Sequence, residues 1–261
     1  MPFSNYLRNE ILDHVLKVGA YTPPTNIYVG LSTTDPSSVI TEPSGGGYAR
    51  ELCNDWNPSV NRQSANTNEV IFTTASANWG EIQYLFLSDA LTGGNMLAYC
   101  ELSDYKTVIT GRTLTFSAGS IILSIISSGM SNYLANKILD HVLKTASFSV
   151  PTNLYVALST EDIAVSATGS TITEPSGGGY TRMNNNNWNA AVTGIASNDG
   201  AFDFNGSGAT EELGVAVGFA ILDASTSGNL LFFGDLDSAI DIVIGTVPRF
   251  ADGTLLVTID Q

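Results

Sequence analysis

At 261 residues the chain has room for one large domain or two small ones, each with a core of its own. Hydrophobic residues make up 43% of it, an ordinary value, but charged residues are only 13%, about half the usual quarter. A net charge of −15 sets aside nucleic-acid binding, which needs clustered Lys and Arg against phosphate, and leaves a cation or a basic partner as charge-compatible ligands.

With so few Lys and Glu, the polar surface must come from Ser, Thr, Asn and Gly, which suits strands and turns better than exposed helices. No apolar run reaches the roughly 18 residues of a membrane helix. MPFSNYLRNE at the N-terminus lacks the basic and apolar segments of a secretory signal, so neither membrane insertion nor Sec-type export is expected. Cys53 and Cys100 are the only cysteines; two thiols cannot make a four-ligand zinc site, and a disulfide between them is left open.

The first predicted element is a helix. Ser4 is suited to the N-cap and Gly19 to the stop. Leu7, Ile11, Val15 and Val18 share one face, widened by Leu12 and Leu16. His14 lies at the border of that stripe, where a histidine satisfied within the packing is expected. A strand follows, with Ile27, Val29 and Leu31 alternating with Tyr28, Gly30 and Ser32 in a half-buried pattern. Next comes TEPSGGGY, Thr41–Tyr48, then Trp56-Asn57 and a Ser/Asn-rich segment, Asn57–Asn68, that reads as a loop or an extended arm. Further strands are predicted at Glu69–Thr73, Ile82–Ser88, Asn95–Glu101, Arg112–Phe116 and Ser120–Ile125, with Thr92-Gly93-Gly94-Asn95 as a hairpin turn.

The chain then starts again. SNYLRNEILDHVLK (Ser4–Lys17) recurs as SNYLANKILDHVLK (Ser131–Lys144), and PTNIYVGLST (Pro24–Thr33) as PTNLYVALST (Pro151–Thr160), both at a shift of 127. TEPSGGGY returns at Thr173–Tyr180, a shift of 132, because the loop before it is five residues longer. DALTGGNMLAYCEL (Asp89–Leu102) returns as DASTSGNLLFFGDL (Asp223–Leu236), with Ser227-Gly228-Asn229 in the turn. This is a tandem duplication of a domain-sized unit: 1–126, then a short Ser/Gly linker at 127–129 expected to be locally flexible, then 130–261. The fold class is mainly β, with two tandem β-sandwich or jelly-roll-like domains, each with one N-terminal amphipathic helix.

The triple glycines do not fit a phosphate loop. Gly45-Gly46-Gly47 runs into Tyr48-Ala49-Arg50 and Gly177-Gly178-Gly179 into Tyr180-Thr181-Arg182, with no Lys in place and without the G-x-G-x-x-G spacing. Pro43 and Pro175 fix the backbone ahead of each, so a tight structural corner is the stronger reading. A contact role is kept for Arg50 and Arg182, which recur beside the corners and are able to meet an acidic group. Trp56 and Trp188 match across the copies, as core anchors first and as exposed contact platforms second.

Catalytic chemistry finds no constellation. There is no G-x-S-x-G elbow, and Cys53 and Cys100 are replaced by Asn185 and Gly234 in the second copy. Glu10, four residues before His14, is replaced by Lys137, and Asp13 and Asp140 point to another helix face. A carboxylate pair for glycan hydrolysis, assembled only by folding, is left open. Asp235, Asp237 and Asp241 miss the spacing of a calcium loop and read as a solvated face. No catalytic residue, metal or cofactor is expected.

The strand YVGLST or YVALST, then ITEPSGGGY, then SDALTGGNMLAY or LDASTSGNLLFF, is similar to a widespread family of small bacteriophage proteins labelled tail fibre proteins. The resemblance covers most of each copy and implies a non-enzymatic virion structural component. Its partners would be other virion proteins and a host-surface receptor, and the chain would be a homo-oligomer. A cyclic trimer would turn six units into a pseudo-sixfold ring. Tail fibre or tail-associated component is the leading class, capsid cement or decoration protein the alternative, and a glycan-degrading tail enzyme the third.

Overall fold

The computed structural model describes residues 1–204 and 206–259. The first half contains α1 (Asn5–Val15), β1 (Tyr28–Ser32), β2 (Glu51–Leu52), β3 (Gln63–Ala65), β4 (Val70–Ile71), β5 (Gly80–Ser88), β6 (Met96–Val108), β7 (Thr115–Phe116) and β8 (Ile122–Ser124). The second half repeats the series as α2 (Asn132–Val142), β9 (Tyr155–Ser159), β10 (Met183–Asn184), β11 (Ile195–Ser197), β12 (Phe202–Asp203), β13 (Gly214–Leu222), β14 (Leu230–Ile242), β15 (Arg249–Phe250) and β16 (Leu256–Thr258). The protein is mainly β, in two similar halves with one helix each.

Each half has one four-stranded antiparallel sheet, in the order β2-β1-β5-β6 or β10-β9-β13-β14. A reduced second layer consists of two short ladders, β3 with β8 and β4 with β7, matched by β11 with β16 and β12 with β15. The long pair β5–β6 keeps register except at a bulge, where Ile82 faces Lys106 but Tyr84 faces Glu101, so Leu102–Tyr105 loop out of β6; β13–β14 is bulged at the same place.

Both helices are N-capped as the sequence predicts. Ser4 Oγ accepts from Leu7 N and donates to the Met96 carbonyl, and Ser131 Oγ accepts from Leu134 N and donates to the Leu230 carbonyl. One hydroxyl thus starts the helix and pins it to the edge of its sheet, where Phe3 bridges to Ala98 and Met130 to Phe232. The helix ends earlier than Gly19. Lys17, at φ 68, takes the left-handed position; its amide and that of Val18 close back on the His14 and Asp13 carbonyls. Val18 therefore leaves the apolar face and is 39% exposed. Lys144 does the same in the second half at φ 64.

β1 differs from its predicted half-buried pattern because both its faces are covered. Val29 and Leu31 face the core, while a Cβ on Gly30 would lie inside the Phe86 ring. The second half holds Ala157 and Ala220 at these two places, and Ile163 and Ile172 of its longer loop pack over them instead. A missing ring is thus replaced by a five-residue insertion. The connector is also fixed rather than flexible: Ser127 is fully buried, its Oγ donates to the Thr258 carbonyl, and Phe233 N donates to the Gly129 carbonyl.

Gly30→Ala is expected to destabilise the protein by about 1–3 kcal/mol through overpacking. Phe86→Ala in the same chain should recover part of that loss. A double-mutant cycle in urea measures the coupling.

Candidate functional site

Three successive residues with positive φ make each glycine corner: 74°, 60° and 77° at Gly45–Gly47, and 88°, 55° and 81° at Gly177–Gly179. The middle residue also has no room for a side chain; a Cβ on Gly46 would come within 2.8 Å of Trp79 Nε1 and 2.9 Å of the Ala77 carbonyl. The Gly46 carbonyl accepts from Ser76 N and from Trp79 Nε1. The second corner rests on Leu213 in place of Trp79, and its Gly178 carbonyl accepts from Thr210 N.

This left-handed run turns the chain so that both flanks of TEPSGGGY meet. Tyr48 Oη donates to Glu42 Oε1 at 2.7 Å and accepts from Leu31 N at 2.9 Å. Arg50 then takes Glu42 in a two-pronged grip, Nε to Oε1 at 3.0 Å and Nη2 to Oε2 at 2.8 Å. Its third nitrogen reaches Ser88 Oγ at 2.8 Å and the carbonyls of Ala90 and Gly93 at 2.7 Å, both in the hairpin between β5 and β6, while the guanidinium lies 5.0 Å from the Phe86 ring centre. Arg182 repeats the arrangement with Glu174 and the carbonyls of Ala224, Ser227 and Gly169. Burial, with that carboxylate beside it, pushes the Tyr48 hydroxyl pKa up, and Tyr180 behaves likewise. The two most distinctive motifs of each repeat are therefore one structure, joined through one arginine.

Arg50 and Arg182, flagged as contact residues, have acidic partners inside the chain, and their side chains are only 4% exposed. Trp56 and Trp188 are buried too, with their indole N–H groups on the Cys53 and Asn185 carbonyls. Pro43 and Pro175 are buried ahead of the corners. Cys53 and Cys100 are free thiols, the first pushed up to about 12 by burial. Asp235, Asp237 and Asp241 are exposed along β14, and among the described residues no three His, Cys, Asp or Glu side chains converge to hold a metal.

The second assembly is a seam between the halves that the sequence reading missed. Asp13 Oδ1 accepts from Ala191 N and Asp140 Oδ1 from Ser59 N, both at 2.7 Å. Asn9 Oδ1 accepts from Gly194 N and Asn136 Oδ1 from Arg62 N. Lys17 Nζ donates to the Thr152 carbonyl and Lys144 Nζ to that of Thr25. Each of these contacts has its reciprocal, the mark of a two-fold relation; Arg8, whose Nη1 donates to the Ile259 carbonyl, is replaced by Ala135 in the second half. Asn57–Asn68, read as a loop or an extended arm, and its counterpart Ala190–Gly200 reach the opposite half's helix. Buried apolar residues of both halves form one continuous cluster. A head-to-tail ring built by repeating this contact, as the pseudo-sixfold expectation requires, is incompatible with reciprocal pairing.

His14 and His141 meet at the centre of the seam. Their rings stack 5.0 Å apart and 6° from parallel, flanked edge-on by Phe148 and Tyr21. Each Nδ1 accepts from a backbone N–H of its own half, Tyr21 N at 3.2 Å or Phe148 N at 3.1 Å. Burial lowers both imidazole pKa values, and the facing His141 lowers that of His14 further.

Two outcomes are expected. Glu42→Gln strands a buried guanidinium and should cost about 3 kcal/mol; Arg50→Lys should also destabilise, since a single ammonium cannot span carboxylate and hairpin together. Urea unfolding would show lower midpoints at unchanged slope. Because the folded-state histidine pKa values lie below the ordinary value of about 6.5, the folded protein binds fewer protons than the unfolded chain below that pH. Stability should be full above it and fall as pH drops from there through the lowered values. A His14→Asn, His141→Asn double variant, tested by urea unfolding across pH, should lose that slope.

The chain matches a family described as Podophage GP4 fiber I protein gp80, once over residues 2–124 and again over residues 129–258. No curated protein matches it significantly. The resemblance to phage tail fibre proteins carried by the glycine corner and the hairpin is thus matched in each half separately, and the match restarts in the pinned connector. The chain belongs to the podophage GP4 fiber I protein gp80 family, as a tandem duplication of its unit.

Proposed function

We propose that the chain is a non-enzymatic structural element of the phage tail fibre, making protein–protein or host-surface contacts through its outer loops and edges. The observation that carries this reading is the fibre-family match over both halves. The geometry supports it: Glu42 and Glu174 are held by arginines, the histidines face each other, and the middle glycine of each corner abuts neighbouring atoms. The residues that a catalytic reading would recruit are engaged in holding the fold.

A capsid-decoration protein would need extended arms or exposed apolar patches, and the Ser/Asn-rich segments that would serve as arms clasp the other half of the same chain. In our reading 1–126 and 130–261 are two fibre units joined at 127–129 and presented as one body with two-fold pseudo-symmetry. A homo-trimer of such bodies would follow dihedral pseudo-symmetry, with new contacts on outer surfaces. No helix among the described residues is long and apolar enough to cross a membrane.

Electron microscopy of particles decorated with an antibody against the chain is expected to place the label on the tail, and particles lacking the chain should adsorb poorly to host cells while retaining full heads. Label on the head shell, or heads that leak DNA when the chain is missing, would transfer the protein to the capsid.

A further inference from the structure

The two halves differ where the segment before each helix meets the second β layer. In the first half, Met1–Ser4 staples two edges together. Tyr99 N donates to the Pro2 carbonyl and Ser4 N to that of Leu97 on the β6 side; the Met1 main-chain nitrogen donates to the Ile122 carbonyl, and Ser124 N to that of Met1, on the β8 side. The Met1 side chain packs against the core, beside Leu85, Cys100 and Phe116.

In the second half, Gly129 and Ser131 keep the β14 bonds, but Ser128 stands where Met1 does and makes neither bond to β16. Leu255 and Ile259 of that segment bond toward β11, so the main-chain groups of Leu256 and Thr258 point away from it. Ser127 Oγ donates to the Thr258 carbonyl, and the Leu256 carbonyl and Thr258 N–H are the groups that would match the Met1 bonds. Gly234 replaces Cys100, and the Phe219 ring swings over it, so that a Cβ there would lie 2.9 Å from the ring. What remains is a cleft of about 360 Å³ floored by Phe219, Phe232 and Val257, against about 160 Å³ at the matching place in the first half. Leu256, 53% exposed, and Asp235 form its rim, and Asp235 has no ion-pair partner among the described residues.

We propose that this cleft is a docking site for an extended segment of another protein, which pairs with the open edge of β16 and inserts one methionine-sized apolar side chain, with a Lys or Arg beside Asp235. The occupant is specified by the first half, where the chain's own Met1 supplies both the main-chain bonds and the side chain. Strand addition of this kind draws affinity from edge hydrogen bonds and specificity from a side-chain pocket. Only the partner's identity as a virion protein rests on the fibre reading; the cleft chemistry does not.

The test uses the full chain, isotopically labelled, titrated with the peptide acetyl-Lys-Thr-Met-Thr-Lys-amide and followed by NMR. Saturable shifts confined to the amides of Phe233, Gly234, Leu256 and Thr258 are expected, and they should vanish when the peptide's Met is replaced by Ser. Ser128→Met, which restores the first half's own plug, should weaken binding at least about tenfold, the scale of excluding one apolar anchor. Leu256→Lys, at an exposed site that leaves folding intact, should do the same. Equal binding by Ser128→Met, shifts elsewhere, or no saturation in the millimolar range would overturn the proposal, whatever the location of the protein in the particle.

Discussion

A guanidinium taken out of water sits at the structural centre of each repeat. Isolated, such a charge is costly to bury, and a carboxylate alone rarely offsets the loss. Here Arg50 has Glu42 in a fork, a serine hydroxyl, two hairpin carbonyls and an aromatic face. That degree of satisfaction is possible only if the chain returns on itself within a few residues, so that Glu42, Tyr48 and Arg50 converge. Three residues with positive φ achieve this, and only glycine adopts them without strain. The glycines set the geometry that lets a charge be buried, and the buried charge fixes the hairpin.

The seam obeys a different logic. A two-fold contact makes each favourable interaction twice, so Asn9, Asp13 and Lys17 each have a counterpart bond. Joining two units through the short 127–129 connector makes that contact intramolecular, at the high effective concentration of a short link. The left-handed lysines belong to the same account. A residue with a side chain is disfavoured at φ 68, but glycine could not send an ammonium to the opposite half. The same fusion places two imidazoles face to face. They tolerate that as neutral rings and would repel as cations, so protonation is expected to weaken the seam.

The helix N-caps and the hairpins were legible because each has a local cause, a serine hydroxyl or a Gly-Asn turn; of the long strands, β5 lacks a clean period-two burial pattern and β6 runs past the predicted Asn95–Glu101 to Val108. β2, β3 and their counterparts were not legible, since two or three residues such as Glu51-Leu52 or Gln63–Ala65 carry no period of their own and become strands by pairing. Arg50 was singled out as a contact residue able to meet an acidic group, but sequence gives no distance, and an acidic partner stands eight residues away in the same segment. Asn66 and Asn198 escaped notice although each is fully buried and caps three backbone groups. The seam had a readable sign: Asn9, Asp13 and Lys17 recur four residues apart as Asn136, Asp140 and Lys144, while Glu10 between them became Lys137. A polar stripe kept in both copies beside positions free to change marks a face with a fixed counterpart.

Once two copies share a chain, they are no longer bound to identical residues. The differences come as compensated pairs. Gly30 with Phe86 becomes Ala157 with Ala220 plus an inserted loop, and Leu85 with Cys100 becomes Phe219 with Gly234. Each pair conserves the filling of one volume, as a close-packed interior demands. The substitution of Ser128 for Met1 is compensated only in part: Phe219 and Phe232 stand where Leu85 and Ala98 do, yet two edge bonds go unmade and a cleft of about 360 Å³ remains. A change that keeps its volume is explained by packing alone, whereas one that opens a cleft beside an unpaired strand edge leaves hydrogen-bonding groups and apolar surface in want of a partner. In a frame so strictly paired elsewhere, that imbalance is what distinguishes the outer surface of one half from the other.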